Sequence, residues 1–278
     1  MSTETCLLNY YILNDELRNA CDFNPDLLRQ GKGIYEVFRV IDGIPLFLEE
    51  HIHRFYLSAS LEDYKIPFDA ESLKFQLKNL IQSNGLKRGN IRFQYIANSS
   101  PQSLFTAWIT PATYPTAPEY QEGVKLLSLR AARFNPHSKR ANLPVRFTAE
   151  EIIEKEEVTE VLLVNEEELV TECHRSNIFF IRGNNLSTPS EALVLQGITR
   201  EKIISLAKTN DIPFREENIP LADIRRYESC FISSTSKGVL PVRKIDDVEF
   251  NVPNTVANKI SGYYEELVRQ HLSAFTWQ

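Results

Sequence analysis

The stretch IYEVFRV, residues 34–40, decides how the first part of the chain is interpreted. Its residues alternate between apolar and polar, as in a half-buried β-strand. Asp42-Gly43 follows and separates it from a second apolar run, IPLFL at residues 44–48. An Asp-Gly pair between two such runs is a strong hairpin signal, because turns of this kind need positive φ angles. The sequence therefore predicts an antiparallel hairpin over residues 34–48.

Two helices are predicted after the hairpin. From Glu49 the apolar residues recur at three- and four-residue spacing, which places His51 and Arg54 on a shared flank of the helix. A second apolar stripe starts at Ala70, and Asn84-Gly85 is a typical helix stop. Strands are predicted at residues 91–97 and 103–109. This half of the chain is thus expected to mix helices with an antiparallel sheet.

A proline-rich segment, PATYPTAP at residues 111–118, is the best candidate for a linker. Proline cannot donate to a strand ladder, and it biases the preceding residue away from helix. We predict a small N-terminal α/β domain at residues 1–113, a linker at 114–120 and a larger C-terminal domain at 121–278. The C-terminal part predicts strands at 124–129, 161–164, 169–171, 177–181 and 230–233, and helices at 149–157, after Gly197, and at about 256–271.

Composition excludes several classes of protein. The chain has 278 residues, 42% of them hydrophobic, and a formal net charge of −6, which does not suit a nucleic-acid backbone binder. No apolar run approaches the length of a membrane span, and the first residues lack the basic start and apolar core of a secretory signal. The four cysteines form no metal-ligand spacing, and the acidic residues of the 149–157 helix are expected to be solvated. His51, His53, His137 and His174 are expected to pack or to face solvent, so we predict no metal site.

Three features could carry chemistry. The junction Gly197-Ile198-Thr199 places backbone N–H groups at a helix start, where the helix dipole favours an anion. The run SSTSKG at residues 233–238 offers hydroxyl and backbone donors to a phosphate. Lys139 lies in a polar loop that could display a reactive amine. Each feature also has an ordinary interpretation: helix capping, a loop, and a solvated lysine.

Taken together and in order, these features resemble the fold-type IV pyridoxal-phosphate enzymes, which include the branched-chain and D-amino-acid aminotransferases and the aminodeoxychorismate lyases. The first matching stretch is most similar to the D-amino-acid enzymes. The matching stretches are GIYEVFRV at 33–40, EHIHRF at 50–55, KRAN at 139–142, VTECHRSNIF at 170–179, GITR at 197–200 and STSKGVLPV at 234–242.

The resemblance implies a cofactor and the residues that hold it. Lys139 matches the lysine that holds pyridoxal 5′-phosphate as a Schiff base and then shuttles a proton. Glu172 matches the carboxylate that pairs with the pyridine nitrogen and favours the protonated ring. For the phosphate, Arg54 matches the binding arginine, and the remaining contacts match the amides of Ile198 and Thr199 and the Thr235 hydroxyl.

The resemblance says less about the substrate. Tyr35, Arg92, Ser236 and Lys237 are the candidate substrate residues. The loop NSSPQ at residues 98–102 lacks the arginine and histidine with which the D-amino-acid enzymes bind the substrate carboxylate. Further departures are Cys173-His174-Arg175 after the glutamate, Lys237 at a commonly small or apolar position, and Pro144 where branched-chain enzymes carry a tyrosine.

The resemblance implies a two-domain α+β enzyme, with the cofactor between the domains, that acts as a cytoplasmic homodimer on small-molecule substrates. The function expected first is amino transfer between a branched-chain or D-amino-acid-like donor and a 2-oxo acid. An aminodeoxychorismate lyase is the alternative, because such lyases share these cofactor residues. A non-catalytic scaffold is the remaining hypothesis, and the full cofactor-binding set argues against it.

Overall fold

The computed structural model describes residues 4–29, 31–97, 103–133 and 135–277. Contacts between Cα atoms divide the chain into two compact units. The first unit comprises residues 1–113 together with 138–142 and 268–278, and the second comprises residues 114–137 and 143–267. Within the described ranges, no helix is both long and apolar enough to cross a membrane.

The first unit contains a six-stranded antiparallel sheet in the order β2-β1-β6-β5-β3-β4. Its core lies between the sheet and two helices, and Phe38, Phe55 and Leu77 are fully buried there. Its strands and helices are β1 (Leu7–Leu13), β2 (Glu16–Asn19), β3 (Lys32–Ile41), β4 (Ile44–Pro45), α1 (Leu48–Leu61), α2 (Ala70–Ser83), β5 (Arg88–Ala97) and β6 (Leu104–Thr110).

The predicted hairpin and the two helices after it are confirmed, but the second strand is shorter than predicted, because β4 ends at Pro45 and α1 begins at Leu48. β3 and β4 pair antiparallel with Ile41 opposite Ile44, and the turn residues Asp42 and Gly43 have φ angles of 52° and 81°. Both angles lie in the left-handed region that Asp and Gly tolerate best. In α1, His51 and Arg54 share a face and both reach Glu36 on β3.

The second unit contains a ten-stranded mixed sheet, in which β12-β11-β10-β14-β15-β7-β8-β9-β13 form the path and β16 pairs with β15. The last helix begins in this unit, while its residues from Val268 belong to the first. The elements are α3 (Ala117–Glu122), β7 (Val124–Arg130), α4 (Pro144–Glu156), β8 (Glu160–Val164), β9 (Leu169–Cys173), β10 (Asn177–Arg182), β11 (Asn185–Pro189), α5 (Ile198–Thr209), β12 (Phe214–Glu217), β13 (Ile219–Pro220), β14 (Ser229–Ser234), β15 (Gly238–Ile245), β16 (Val248–Glu249) and α6 (Thr255–Ala274).

The fourth helix begins earlier than predicted. Expected at residues 149–157, α4 starts at Pro144, because a proline in the first turn lacks only an N–H that would have no helical partner. It ends before Glu157, whose φ of 52° is left-handed. α3 occupies part of the stretch that we predict to be a linker, so the linker and the domain limits stay predictions.

Candidate active site

Lys139 is fixed by contacts on both sides of its backbone within the first unit. The backbone N of Tyr35 donates to the Lys139 carbonyl at 3.0 Å, and the Lys139 N–H donates to Ser58 Oγ at 3.1 Å. Two residues further on, Ala141 N donates to the Gly33 carbonyl at 2.8 Å. The amine itself lies 5.2 Å from the centroid of the Tyr35 ring. The backbone of Lys139 is therefore held by hydrogen bonds to one strand, β3, and one helix, α1.

Gly33 permits this arrangement at the start of β3. A Cβ at this position would overlap the carbonyl oxygen of Tyr95 on the paired strand β5, so only glycine fits without a shift of the backbone. The segment that carries Lys139 then docks against the same stretch of β3, where Ile34 forms a bridge with Arg140.

A buried ionic cluster surrounds Glu36, which follows Tyr35 on β3. The Glu36 carboxylate accepts from Arg54 Nε at 2.6 Å and Nη2 at 2.8 Å, and His51 Nδ1 lies 2.8 Å from it. Burial alone would raise the pKa of Glu36, but the positive charges of Arg54 and Lys139 lower it well below its usual range. Burial lowers the pKa of His51, although the hydrogen bond with Glu36 opposes this shift. Sequence reasoning expected only packing for His51 and missed Glu36.

Arg92, on β5, also contacts the Tyr35 ring. Its guanidinium carbon is 4.6 Å from the Tyr35 ring centroid and 5.3 Å from that of Trp108. Nη2 donates to Gln94 Oε1 at 2.7 Å, and Nη1 lies 2.5 Å from the Glu4 carboxylate. Arg92 is thus a buried cation that shares the Tyr35 ring with the Lys139 amine.

Glu172 is the buried carboxylate that the sequence analysis singled out in the second unit. It lies near the end of β9 and is 3% exposed. The Nε atom of Arg133 is 3.2 Å from Glu172 Oε1, while Arg133 Nη2 donates to the His174 carbonyl at 2.7 Å. Arg133, which sequence reasoning missed, therefore balances the charge of the glutamate and holds the chain that follows it.

The helix start at Gly197 forms a cradle of backbone amides. Gly197 is the N-cap of α5, and a Cβ there would overlap the side-chain oxygen of Asn177. The N–H groups of Ile198 and Thr199 belong to the first turn and have no acceptor within the helix. The Thr199 hydroxyl lies 3.5 Å from the Tyr264 hydroxyl. A close glycine, first-turn amides and a hydroxyl suit a phosphate group.

The turn between β14 and β15 holds the remaining predicted residues. The Lys237 N–H donates to the Ser234 carbonyl at 3.2 Å, which places Thr235 and Ser236 at the tip of the turn. Both tip residues are half-buried. Just before the turn, the buried Ser233 Oγ has no hydrogen-bond partner in the described part of the chain. The Lys237 amine contacts Glu160, 2.7 Å away, a residue that sequence reasoning also missed.

A common signal could have found Glu36, Glu160 and Arg133. Each is an ionisable residue next to a run that is otherwise apolar or directly beside a predicted site residue. Glu36 is next to Tyr35, and Glu160 opens the strand EVLLV. A buried charge is retained only where partners balance it, so such residues mark polar clusters.

The comparisons with known proteins agree on one family. The model of the amino-transferase class IV family matches residues 33–245. The chain belongs to the class IV aminotransferase family. A D-alanine aminotransferase of Listeria innocua serovar 6a is 30% identical to it, over 93% of this chain and 96% of that one.

Solved structures of class IV enzymes share the fold. A branched-chain amino acid aminotransferase from T.th., determined with pyridoxamine 5′-phosphate, has a TM-score of 0.85 at 23% identity and covers 95% of each chain. A Legionella pneumophila protein that bears the provisional name 4-amino-4-deoxychorismate lyase has a TM-score of 0.75 at 24% identity, over 85% of this chain and 91% of that one. The predicted α+β fold of the class IV enzymes is therefore confirmed.

Class IV aminotransferases are enzymes that use pyridoxal 5′-phosphate, so this chain is an aminotransferase with that cofactor. The residues present fit the group. The amide cradle at Gly197 suits its phosphate, the buried carboxylate of Glu172 suits a protonated ring nitrogen, and the Lys139 amine suits its aldehyde. The predictions of the family, the activity and the cofactor are confirmed, whereas the role of each residue stays a prediction.

Proposed function

We propose that this class IV enzyme transfers an amino group between a D-amino acid and a 2-oxo acid. The observation that carries the proposal is the likeness to a D-alanine aminotransferase over nearly the full length of both chains. The branched-chain enzymes are less than 25% identical and support the fold only. We therefore favour a D-amino donor over the branched-chain donor that the sequence left open.

Lys139 is assigned the central role. When bound, the cofactor offers an aldehyde that accepts an amino group and a ring that takes up electrons released at the substrate Cα. Lys139 would hold the cofactor covalently and, once released, would move a proton between the substrate Cα and the cofactor C4′. The contacts of its backbone with Tyr35 and Ser58 support this role, because they fix the origin of a long, flexible side chain.

The remaining cofactor contacts divide into two groups. Glu172, paired with Arg133, would accept a hydrogen bond from the protonated ring nitrogen. The phosphate would be bound by Arg54, by the amides of Ile198 and Thr199, and by the Thr235 hydroxyl. The contacts of Arg54 Nε and Nη2 with Glu36 support this role, because they fix the plane of the guanidinium.

Arg92 is our candidate for the substrate carboxylate. The loop at residues 98–102, whose sequence lacks the usual arginine and histidine, lies outside the described residues. Arg92 is buried against the same Tyr35 ring that contacts the Lys139 amine, a placement that supports binding of a carboxylate close to the reacting amine. Ser236 and Lys237 stay predictions as substrate contacts.

The assembly and cellular location are also proposals. We infer that the enzyme acts as a homodimer in the cytoplasm, as the resemblance implies and because symmetric dimers are the commonest oligomers. Its partners are the amino acid and the 2-oxo acid themselves. Light scattering after size exclusion measures the dimer directly, and a monomeric mass at working concentration would contradict it.

A direct assay tests the proposed reaction. Purified protein loaded with pyridoxal 5′-phosphate is given D-alanine or L-alanine together with 2-oxoglutarate. The amounts of D-glutamate and L-glutamate that form are then measured. We expect D-glutamate from the D-donor alone. Glutamate from branched-chain L-donors would favour the branched-chain activity instead. Pyruvate from aminodeoxychorismate without an amino acceptor would identify a lyase.

A further inference from the structure

The buried carboxylate of Glu160 is surrounded by donors in the second unit. Glu160 opens β8 and has no exposed surface. Lys237 Nζ lies 2.7 Å from Oε1, and Ser176 Oγ donates to the same oxygen at 2.9 Å. His174 Nδ1 lies 2.7 Å from Oε2, and the Arg175 N–H donates to that oxygen at 3.3 Å. The Glu160 carboxylate therefore binds two separate segments of the chain, residues 174–176 and Lys237.

Those two segments carry residues of the proposed function. His174 and Ser176 lie in the segment that follows Glu172 and the end of β9, and Lys237 closes the turn that carries Thr235. Lys237 is also fixed through its backbone, because the Tyr120 hydroxyl donates to its carbonyl at 2.7 Å. The turn is thus attached to Glu160 on one side and to α3 on the other.

His174 and Lys237 are two of the positions at which the sequence departs from the family pattern, and the structure gives them the same partner. One carboxylate balances one full positive charge. Burial alone would raise the pKa of Glu160, but Lys237 and His174 lower it well below its usual range. Burial lowers the pKa of His174 despite the nearby carboxylate.

The hydrogen bonds of His174 agree with a neutral ring. Since the Glu160 oxygen is an acceptor, Nδ1 must carry the proton of the neutral imidazole. His174 Nε2 is buried and has no hydrogen-bond partner among the described residues, so a second proton there would lack an acceptor. The charged groups that act on this ring are Glu160 on β8, Arg146 on α4 and the adjacent Arg175. Lys237 shares the Glu160 carboxylate with His174, Arg133 before α4 donates to the His174 carbonyl, and Glu150 on α4 pairs with Arg146 and Arg175. Glu172 and Cys173 precede His174 in the chain.

We propose that Glu160 is a positioning residue that fixes the Thr235 turn to the chain after Glu172, and that Lys237, not His174, balances its charge. The two departures from the family pattern then form one coupled set. This inference rests on the proposed roles of Glu172 and Thr235 for its effect on the cofactor, but its charge assignment does not depend on them.

Removing the Lys237 charge should favour uptake of a proton by His174. Lys237→Met removes the ammonium that shares the Glu160 carboxylate with His174, and the loss of this like charge should raise the pKa of His174. Lys237→Arg keeps a cation and should leave His174 neutral. Lys259→Met, which removes an exposed lysine from α6, is the matched control. Histidine NMR titration of the protein, with and without cofactor, measures all three variants.

Lys237→Met should also reverse how the contribution of His174 to the free energy of unfolding depends on pH. In the wild type the depressed pKa of His174 makes its contribution to stability fall as the pH drops below its ordinary value of 6.5. In Lys237→Met we expect this pKa to lie above its ordinary value, which would make the contribution complete below that value and lost as the pH rises through the raised pKa. Denaturant unfolding at about pH 6 and about pH 8 should therefore show the largest loss for Lys237→Met at the higher pH.

Cofactor affinity tests the positioning role. Losing one charge-assisted hydrogen bond should weaken pyridoxal 5′-phosphate binding by about tenfold in Lys237→Met at about pH 8, and by less at about pH 6. If Lys237 had no buried partner, its replacement would change neither the pH dependence of cofactor affinity nor the titration of His174. Unchanged affinity at both pH values would contradict the positioning role.

The titration of His174 can overturn the charge assignment. If His174 is protonated in the wild type at about pH 7, or if Lys237→Met leaves its titration unchanged, Lys237 does not balance Glu160. These signals are read in cofactor-free protein as well, so a failure of the proposed amino transfer would leave them intact. A shift in Lys237→Met that is absent from Lys237→Arg and Lys259→Met is the result that we expect.

Discussion

The Arg54 guanidinium and the Glu36 carboxylate form a bidentate contact with N–O distances of 2.6 and 2.8 Å, and both side chains are buried. A bidentate pair fixes the orientation of both partners as well as their charge. The residue proposed to bind the cofactor phosphate is therefore held in place by a partner on the adjacent strand, whether or not the phosphate is present.

Removing the Glu36 charge should destabilise the protein strongly. Glu36→Gln leaves Arg54 buried without its counter-charge, and breaking one partner of a buried pair typically costs about 3–5 kcal/mol. Equilibrium denaturant unfolding measures the loss. Glu49→Gln is the control, because Glu49 is 55% exposed and its pair with Lys74 is worth at most about 1 kcal/mol. Equal losses in the two variants would contradict the assigned role of the buried pair.

The same pair predicts how stability changes in acid. The folded pKa of Glu36 lies below its ordinary value of 4.5, so its contribution is complete above that pH and is lost as the pH falls further. The free energy of unfolding should decrease steeply below about pH 4.5. Glu36→Gln should show a shallower decrease over the same range. An identical acid slope in both proteins would exclude Glu36 as a source of this dependence.

The glycine at the start of α5 should be irreplaceable. In Gly197→Ala the new Cβ overlaps Asn177, and such overpacking costs about 1–3 kcal/mol and shifts the helix start. We expect weaker binding of pyridoxal 5′-phosphate, measured by fluorescence titration. Gly262→Ala supplies the contrast, since nothing lies within 4 Å of its Cβ and alanine in a helix gains about 0.5–1 kcal/mol. A Gly197→Ala protein with normal affinity would remove the cradle from the site.

Arg92 should act on substrate affinity. In Arg92→Gln the KM for the amino donor should rise by about tenfold or more, because a hydrogen bond to a charged group is lost, while cofactor binding is unchanged. Steady-state kinetics and a cofactor titration separate the two effects. Arg88→Gln, on the same strand but exposed, should leave the KM as it is. A change in kcat alone would place Arg92 outside carboxylate binding.

Local patterns in the sequence predicted much of the fold. Asp42-Gly43 and the spacing of Ile52 and Phe55 report on contacts within a few residues, and these elements formed as expected. Strands such as β2 and β12 were not predicted, because their residues are largely exposed at sheet edges and do not alternate. β2 pairs with β1 directly before it, and β12 pairs in parallel with β11, so neither pairing shows as an alternation within the strand itself.

The candidate site was predictable where a motif carries the chemistry and not where partners come from distant segments. Lys139 and Glu172 lie within stretches that resemble the family. The partners of Arg133 and Glu160 became visible only through the fold, since Glu160 is joined to Lys237 across 77 positions of the chain. The contact with Glu160 also explains why a lysine is tolerated in that turn.

The attachment of the cofactor to Lys139 is the central claim, and one measurement tests it most directly. Borohydride reduction of the cofactor-loaded enzyme, followed by peptide mass spectrometry, identifies the amine that holds pyridoxal 5′-phosphate. We predict the adduct on the peptide that contains Lys139 and the loss of the near-visible absorbance band in Lys139→Ala. An adduct on another lysine, or a band that survives in Lys139→Ala, would contradict the account.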